Sequence, residues 1–461
     1  MTCVWYVPHC PPRAGLFRME FTPALENWRA TLMNIFTQEI PAASRMMMLV
    51  MFVGLSSLQP ALADDDDDDE ADDIAPSEVP LDCNPHEFEP PPKFLCKAKR
   101  RAEGRRLFTQ ETFGGNGRTC ETCHSRKTGT FSPEDVLKRL SEDPDDPLFV
   151  HDGLDDGFTG VSRILEHATV RITLPLPEGV SLKHDPQATH VTVNRGTPTV
   201  KNTPALENVF MHDLRNLTLQ EQALGAIRGH AQNTVEPTPL QLDLIAEFQQ
   251  TAPRFFSNPE LRRFAKGGPP PALPLGNTES EQRGRLFFVD APFNPPNKTG
   301  VCALCHSGAM LNEANVFSSA VFGNPPGVRA FSVRVAERNL LGNDLHTFLI
   351  EDTLGPPVEV TTPDLGILMT DHKQLMDLEI LPPDPVLARF GLRRAFFANM
   401  FKTPTLWGVK HTAPYFHDNS AKNLEEMLDQ YDFAFSTPPI GGSIQLTPQD
   451  KEDIIAFLEL L

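Results

Sequence analysis

Cys120-Glu121-Thr122-Cys123-His124 and Cys302-Ala303-Leu304-Cys305-His306 are two copies of one five-residue pattern, and they decide how the chain is read. Two thiols separated by two residues fall on one helical turn, where they can form thioethers with the two vinyl groups of one porphyrin. The histidine that follows at once turns its imidazole to the iron. Cys-x-x-Cys by itself also serves zinc sites and thiol redox centres. The adjacent His and the recurrence select haem. Two covalent haem c groups are therefore expected, attached at Cys120 and Cys123 and at Cys302 and Cys305, with His124 and His306 as iron ligands.

Working outward, the sequence around each motif also recurs. Gly104-Arg105-Arg106-Leu107-Phe108 precedes the first and Gly284-Arg285-Leu286-Phe287-Phe288 the second. Thr197-Pro198-Thr199-Val200 is echoed by Thr403-Pro404-Thr405-Leu406, and Phe210-Met211-His212-Asp213 by Tyr415-Phe416-His417-Asp418. Thr238-Pro239 and Thr447-Pro448 each open an apolar run at helical spacing, with Thr suited to the N-cap and Pro to the first turn. Each half thus runs from a haem-bearing helix to a closing helix. The expected fold is mainly α: two tandem cytochrome c-like haem domains, residues 83–266 and 276–461, joined by a Pro/Gly linker at 267–275. The 44 prolines imply long ordered loops. Thr169-Val170-Arg171-Ile172-Thr173-Leu174 reads as a strand of a small hairpin, a minor β insertion. The segment around 320–400 exceeds what such a domain needs, and it either covers a substrate entrance or pads the surface.

Haem of this kind is attached outside the cytoplasm, so an export signal is expected. Arg45, the apolar run Met46–Leu55 and Ala61-Leu62-Ala63 have its form, with cleavage after Ala63 and a periplasmic destination. The run is too short to span a bilayer. Residues 1–45 have no place in such a leader (1–63) and read as a mis-called start. Residues 64–82 form an acidic tail expected to be disordered. The chain carries a net charge of −20, and it stays acidic without that tail, which argues against nucleic acid as a partner. Of eight cysteines, Cys83 and Cys96 are left over in the exported part, as a disulfide or as two buried thiols.

The order of these motifs resembles the bacterial di-haem cytochrome c peroxidases, a family that includes the di-haem oxygenase that matures tryptophan tryptophylquinone. The likeness covers residues 100–461 and rests on both haem motifs, Arg195-Gly196-Thr197-Pro198-Thr199, His212-Asp213-Leu214-Arg215 and Thr412-Ala413-Pro414-Tyr415-Phe416-His417-Asp418. It implies a periplasmic oxidoreductase that reduces hydrogen peroxide with electrons from a small donor such as a monohaem cytochrome c or a cupredoxin. Electrons would pass from the haem on His306 to a peroxidatic haem on His124. It also implies a homodimer and a calcium ion near Thr412 and Pro414, although Gly196 stands where the family has Asn. Three positions depart from the pattern. His212 replaces an inter-haem Trp, Gln232 replaces the catalytic Glu, and Tyr431 replaces the Met ligand of the second haem. Gln232 can hold peroxide but cannot shuttle a proton, so His230 is the candidate acid/base or sixth ligand of the first haem, with His151, His167, His184 and His190 as competing ligands. Tyr431, or Met427 one turn earlier, is the candidate sixth ligand of the second. The alternatives are an oxidase acting on an organic or protein substrate, and a non-catalytic di-haem electron-transfer protein.

Overall fold

A computed structural model describes residues 93–155, 160–323, 326–438 and 440–461, with side chains from 96 on. The leader with its cleavage after Ala63, the acidic tail and Cys83 lie outside these residues. Cys96 is disulfide-bonded.

The recurrent Gly-Arg-x-x-Phe segments have a common physical cause. Helix α1 (Lys93–Thr109) packs against α4 (Pro239–Thr251) so tightly at Gly104 that a Cβ there would stand 2.4 Å from the Leu244 carbonyl oxygen. After the short α5 (Pro259–Ala265), helix α6 (Glu279–Arg285) crosses α8 (Pro448–Leu458) in the same way. At Gly284 a Cβ would stand 1.9 Å from the Asp453 carbonyl oxygen. Only glycine permits these backbone contacts. The apolar residues that follow each glycine fill the core beside the crossing. Leu107 and Phe108 join Leu244, Ile245 and Phe248; Phe287 and Phe288 join Ile454, Phe457 and Leu458. Each fully buried Phe contributes roughly 2–3 kcal/mol by leaving water. Both closing helices start on the expected caps: Thr238 accepts from the Gln241 N–H and Thr447 from the Asp450 N–H.

The two His-Asp segments are also equivalent in space. Antiparallel bridges Phe210–Asn216 and Tyr415–Ala421 close two matching turns, in which Met211 and Phe416 both have φ of 74°. From these turns start α3 (Leu219–Gly229), capped by Thr218, and α7 (Leu424–Phe435), capped by Asn423.

The β-rich part differs from expectation. Strands β1 (Thr169–Pro175) and β3 (His190–Gly196) do pair antiparallel, Thr169 opposite Gly196. The residues between them are not a plain hairpin loop, because β2 (Val180–Leu182) leaves to pair with β4 (His346–Ile350). Strand β4 in turn pairs with β5 (Val358–Thr362). The extra segment around 320–400 therefore does more than pad a surface or cover an entrance. Phe348, Ile350, Leu365, Ile367, Leu375 and Leu381 of that segment join Ile164, Ile172, Val193 and Leu214 in an extensive apolar cluster. The apolar face of the β1–β3 pair (Val170, Ile172, Leu174, Val191 and Val193) is buried in that cluster, which a two-stranded hairpin could not assemble alone.

A buried ion cluster fastens these parts. Arg195 on β3 makes a bidentate pair with Asp364, at 2.7 and 2.9 Å, and a third bond to Asp213 at 2.7 Å. Arg215 adds a second cation to Asp213 at 2.8 Å. Burial favours the neutral acids, yet the Arg195 charge outweighs it and holds both carboxyls below the usual range. Among the described residues, no helix is long and apolar enough to cross a membrane.

Candidate haem sites

Each five-residue motif turns tightly, as its spacing requires. Cys120–Cys123 is a single α-turn (α2) and Cys302–Leu304 a 3-10 turn. The backbone N–H of His124 donates to the Cys120 carbonyl at 3.0 Å and that of His306 to the Cys302 carbonyl at 2.9 Å. Both imidazoles are then oriented alike. His124 Nδ1 donates to the Gly129 carbonyl at 2.9 Å, and His306 Nδ1 to the Leu311 carbonyl at 2.9 Å. That bond puts the proton on Nδ1 and leaves Nε2 free for a metal. Burial pushes His124 down to about 4, with His230 adding a smaller effect, and pushes His306 down to about 4. Both rings are therefore neutral at pH 7, as iron ligation needs.

A largely apolar cavity of about 970 Å³ spans the two motifs. The residues singled out from the sequence converge on it. His124, His212, His230 and Gln232 line it, as do His306, Met427, Tyr431, Thr412 and Pro414. Cys120, Cys123 and Cys305 reach it too, while Cys302 packs against the C-terminal apolar cluster. Paired thiols, neutral imidazoles with free Nε2 atoms and an apolar wall of this size fit two covalent haems. The residues that would hold them are Cys120, Cys123 and His124 for one, and Cys302, Cys305 and His306 for the other.

The walls opposite the two histidines differ. The Tyr431 hydroxyl stands 3.2 Å from His306 Nε2, at hydrogen-bonding distance, so it is a polar side chain that would be within reach of a metal held by that ring. Burial pushes this phenol above its usual range; a cation at its oxygen would reverse that. Met427, one turn earlier on α7, lines the same cavity and packs against the C-terminal cluster. Beside the first motif, His230 follows the last turn of α3, and its Nδ1 contacts the Asp152 carboxylate. Gln232, at φ 51°, receives a bond from Asn116 at 3.4 Å. Asn116 also holds the His230 carbonyl at 2.9 Å.

In the same cavity, His212 donates from Nε2 to the Gly196 carbonyl at 3.0 Å. Burial, reinforced by the Arg195 charge, drives it down to about 3. The His417 ring stacks on Phe401 with centroids 3.6 Å apart and planes within 12°. Among the described residues, no group of three or more His, Cys, Asp and Glu side chains could hold a metal.

Asp152 and Arg118 were not among the residues singled out from the sequence, and Asp364 lay in the segment read as surplus. Nothing local marks Asp152, one of many acidic residues in a loop, until the fold brings it to His230.

No family model matches the chain. A 65-residue stretch is 38% identical to the cytochrome-c peroxidase IdrP1 of Pseudomonas sp. (strain SCT), covering 13% of this chain and 17% of that one. The IdrP1 of Denitromonas iodatirespirans is 36% identical over 66 residues, again 13% and 17% of the two chains. The chain thus spans about a sixth of the length of these curated relatives. Among solved structures, a MauG-like protein associated with microbial copper homeostasis aligns with 84% of this chain and 93% of its own, at 16% identity and a TM-score of 0.42. The di-haem peroxidase BthA of Burkholderia thailandensis aligns with 81% of this chain and 86% of its own, at 14% identity and a TM-score of 0.36. Over the stretch it shares with the curated relatives, the chain is similar to the bacterial cytochrome-c peroxidases, the family that its two haem motifs resemble.

Proposed function

We propose that this chain is a di-haem c-type peroxidase that reduces hydrogen peroxide to water with electrons from a small redox protein. The observation that carries this reading is the contrast across one cavity. Tyr431 lies beside His306 Nε2 and would be the sixth ligand of a haem held there, whereas the ring in the cavity beside the other motif, His230, is engaged by Asp152. The haem on His306 is thereby suited to relay electrons, and the one on His124 to meet peroxide. When bound, the haems would supply the redox equivalents for H2O2 + 2 e⁻ + 2 H⁺ → 2 H2O. His230 takes a proton from one peroxide oxygen and returns it to the oxygen that departs as water. Gln232 and Asn116 hold the segment that carries it. His212 and His417 shape the wall between the haems. The same reading includes export to the periplasm with cleavage after Ala63, two haem domains split at 267–275, a calcium ion near Thr412 and Pro414, and a homodimer. The donor would be a monohaem cytochrome c or a cupredoxin.

A second reading rests on Tyr431 and Gln232. An anionic ligand favours high oxidation states, and a proton-inert Gln slows peroxide reduction, which suits an oxidase of an organic or protein substrate. The test is to half-reduce the haem-loaded protein, add hydrogen peroxide and follow oxidation of a reduced cytochrome c. Fast turnover that His230→Ala lowers by about 10²–10⁴-fold supports the peroxidase. A long-lived oxidised spectrum with little donor turnover supports the oxidase, and no reaction leaves an electron carrier.

A further inference from the structure

We propose that Asp152 is a positioning residue that sets the tautomer of His230, so that the bare Nε2 of this ring meets the substrate as a proton acceptor. The inference rests on the peroxidase reading and goes beyond it to a residue nearly absent from the surface: the Asp152 side chain is 3% exposed, that of His230 30%.

The geometry is a chain of three groups. One oxygen of Asp152 contacts His230 Nδ1 and the other contacts Arg118 Nη1. A carboxylate held by Arg118 has no proton to give, so the hydrogen in the contact with His230 belongs to Nδ1. In the neutral ring Nε2 then carries the lone pair, and the ring lines the cavity that also holds His124. Burial would favour the neutral acid, but the bond to His230 and the Arg118 charge outweigh it, and Asp152 stays ionised.

The position of Asp152 is itself determined by Arg118. The same guanidinium donates to the Pro147 carbonyl at 2.8 Å, to Leu148 at 2.8 Å and to Val150 at 2.6 Å. It therefore gathers the whole loop that carries Asp152. At Gly153 a Cβ would stand 2.4 Å from the Leu148 carbonyl oxygen, which shows how tightly that loop is folded. Arg118 lies two residues before Cys120, so one stretch of backbone presents the haem motif and anchors the loop. On the other side, Asn116 bonds the His230 carbonyl, and the Asn116 N–H donates to the Ala231 carbonyl at 2.8 Å. Ring and carboxylate are thus both fixed to residues 116–118.

Exchange of one atom tests the idea. In Asp152→Asn the amide has one oxygen, and Arg118, a pure donor, claims it. The amide NH2 then faces His230 Nδ1, which must become an acceptor, and the ring proton moves to Nε2. The first measurement uses the haem-loaded wild type, fully reduced under carbon monoxide at pH 8 so that it is diamagnetic. Histidine 15N–1H correlation, with His230 assigned by its loss in His230→Gln, should show the Nδ1–H form; any other form overturns the inference without reference to turnover. The second compares Asp152→Asn with the wild type. The expected results are the Nε2–H form and a kcat for peroxide lower by roughly 10³–10⁴-fold with KM little changed. Adding His230→Ala to Asp152→Asn should cost nothing more. A folded Asp152→Asn that turns over at the wild-type rate overturns the inference. If the wild type itself does not consume peroxide, the peroxidase reading fails, and the resonance measurement still decides the role of Asp152.

Discussion

The surroundings of His124 and His306 are alike on one side and unlike on the other. On the attachment side, each motif makes the same backbone turn, and each Nδ1 donates to a carbonyl five residues on, Gly129 or Leu311. Each motif is backed by the same helix crossing, at Gly104 or at Gly284. On the opposite side, α7 projects a phenol to within 3.2 Å of His306. The corresponding helix, α3, ends before its ring, and His230 turns to Asp152 instead. The repeat is kept around the two motifs and is abandoned across the cavity from them. Attachment needs a generic geometry that one local sequence supplies, whereas the open or closed state of an iron depends on a single side chain across the cavity.

That contrast can be broken most directly at Tyr431. Tyr431→Phe removes the oxygen opposite His306 and should raise the reduction potential of that haem by on the order of 0.1–0.2 V, a modest part of the roughly 0.8 V that axial ligands span. The potential of the haem on His124 should hardly move. Redox titration with separate spectroscopic resolution of the two haems checks this. If neither potential shifts, Tyr431 only packs, and Met427 becomes the candidate ligand.

The buried ion cluster around Arg195 comes next. Arg195→Met leaves Asp213 and Asp364 without their shared cation and should cost about 3–5 kcal/mol in urea unfolding of the haem-loaded protein. The pH dependence should change with it. Both carboxyls are depressed in the folded state, so their contribution is complete above the unfolded value of about 3.9 and is lost as pH falls below it. His212, lowered to about 3, acts in the same direction over a higher window. The unfolded state takes up a proton near pH 6.5 that the folded ring refuses, so stability declines from there downward. Wild type should therefore lose stability in two stages on acidification, and Arg195→Met should lack most of the lower one. A variant with the wild-type acid profile would mean that the cluster does not hold the parts together.

The smallest effects sharpen the equivalence of the two halves. Thr238→Ala and Thr447→Ala each remove an N-cap bond from a closing helix and should each cost about 1 kcal/mol. Urea midpoints measured on the haem-loaded protein read both. A clear inequality would show that α4 and α8, equivalent in sequence pattern, carry unequal loads.

The helical frame and the tight turns of the two Cys-x-x-Cys-His motifs were legible because their signals are local. Cys-x-x-Cys-His, the Thr-Pro caps and the Gly-Arg-x-x-Phe segments each specify a turn, a helix start or a close crossing within a few residues. The paired His-Asp turns were legible for the same reason, since the two copies match residue by residue. The partners of these elements were not legible. Strand β2 reads as loop until β4 lies beside it, and the long segment around 320–400 reads as surplus until its apolar residues meet those of β1 and β3.

The sequence alone determined that two Cys-x-x-Cys-His motifs exist and that each is backed by a helix pair, and through the family resemblance it offered Tyr431 and His230 as candidates. The tertiary structure decided which charges meet. It joined Arg195 to Asp364 across 169 positions and His230 to Asp152 across 78. Helical and turn signals arise from backbone dihedrals and neighbours within one or two turns, so they survive in a linear reading. Pairing of buried charges depends on how the chain closes long loops, and many acidic residues could have served equally until packing left one carboxylate beside each cation.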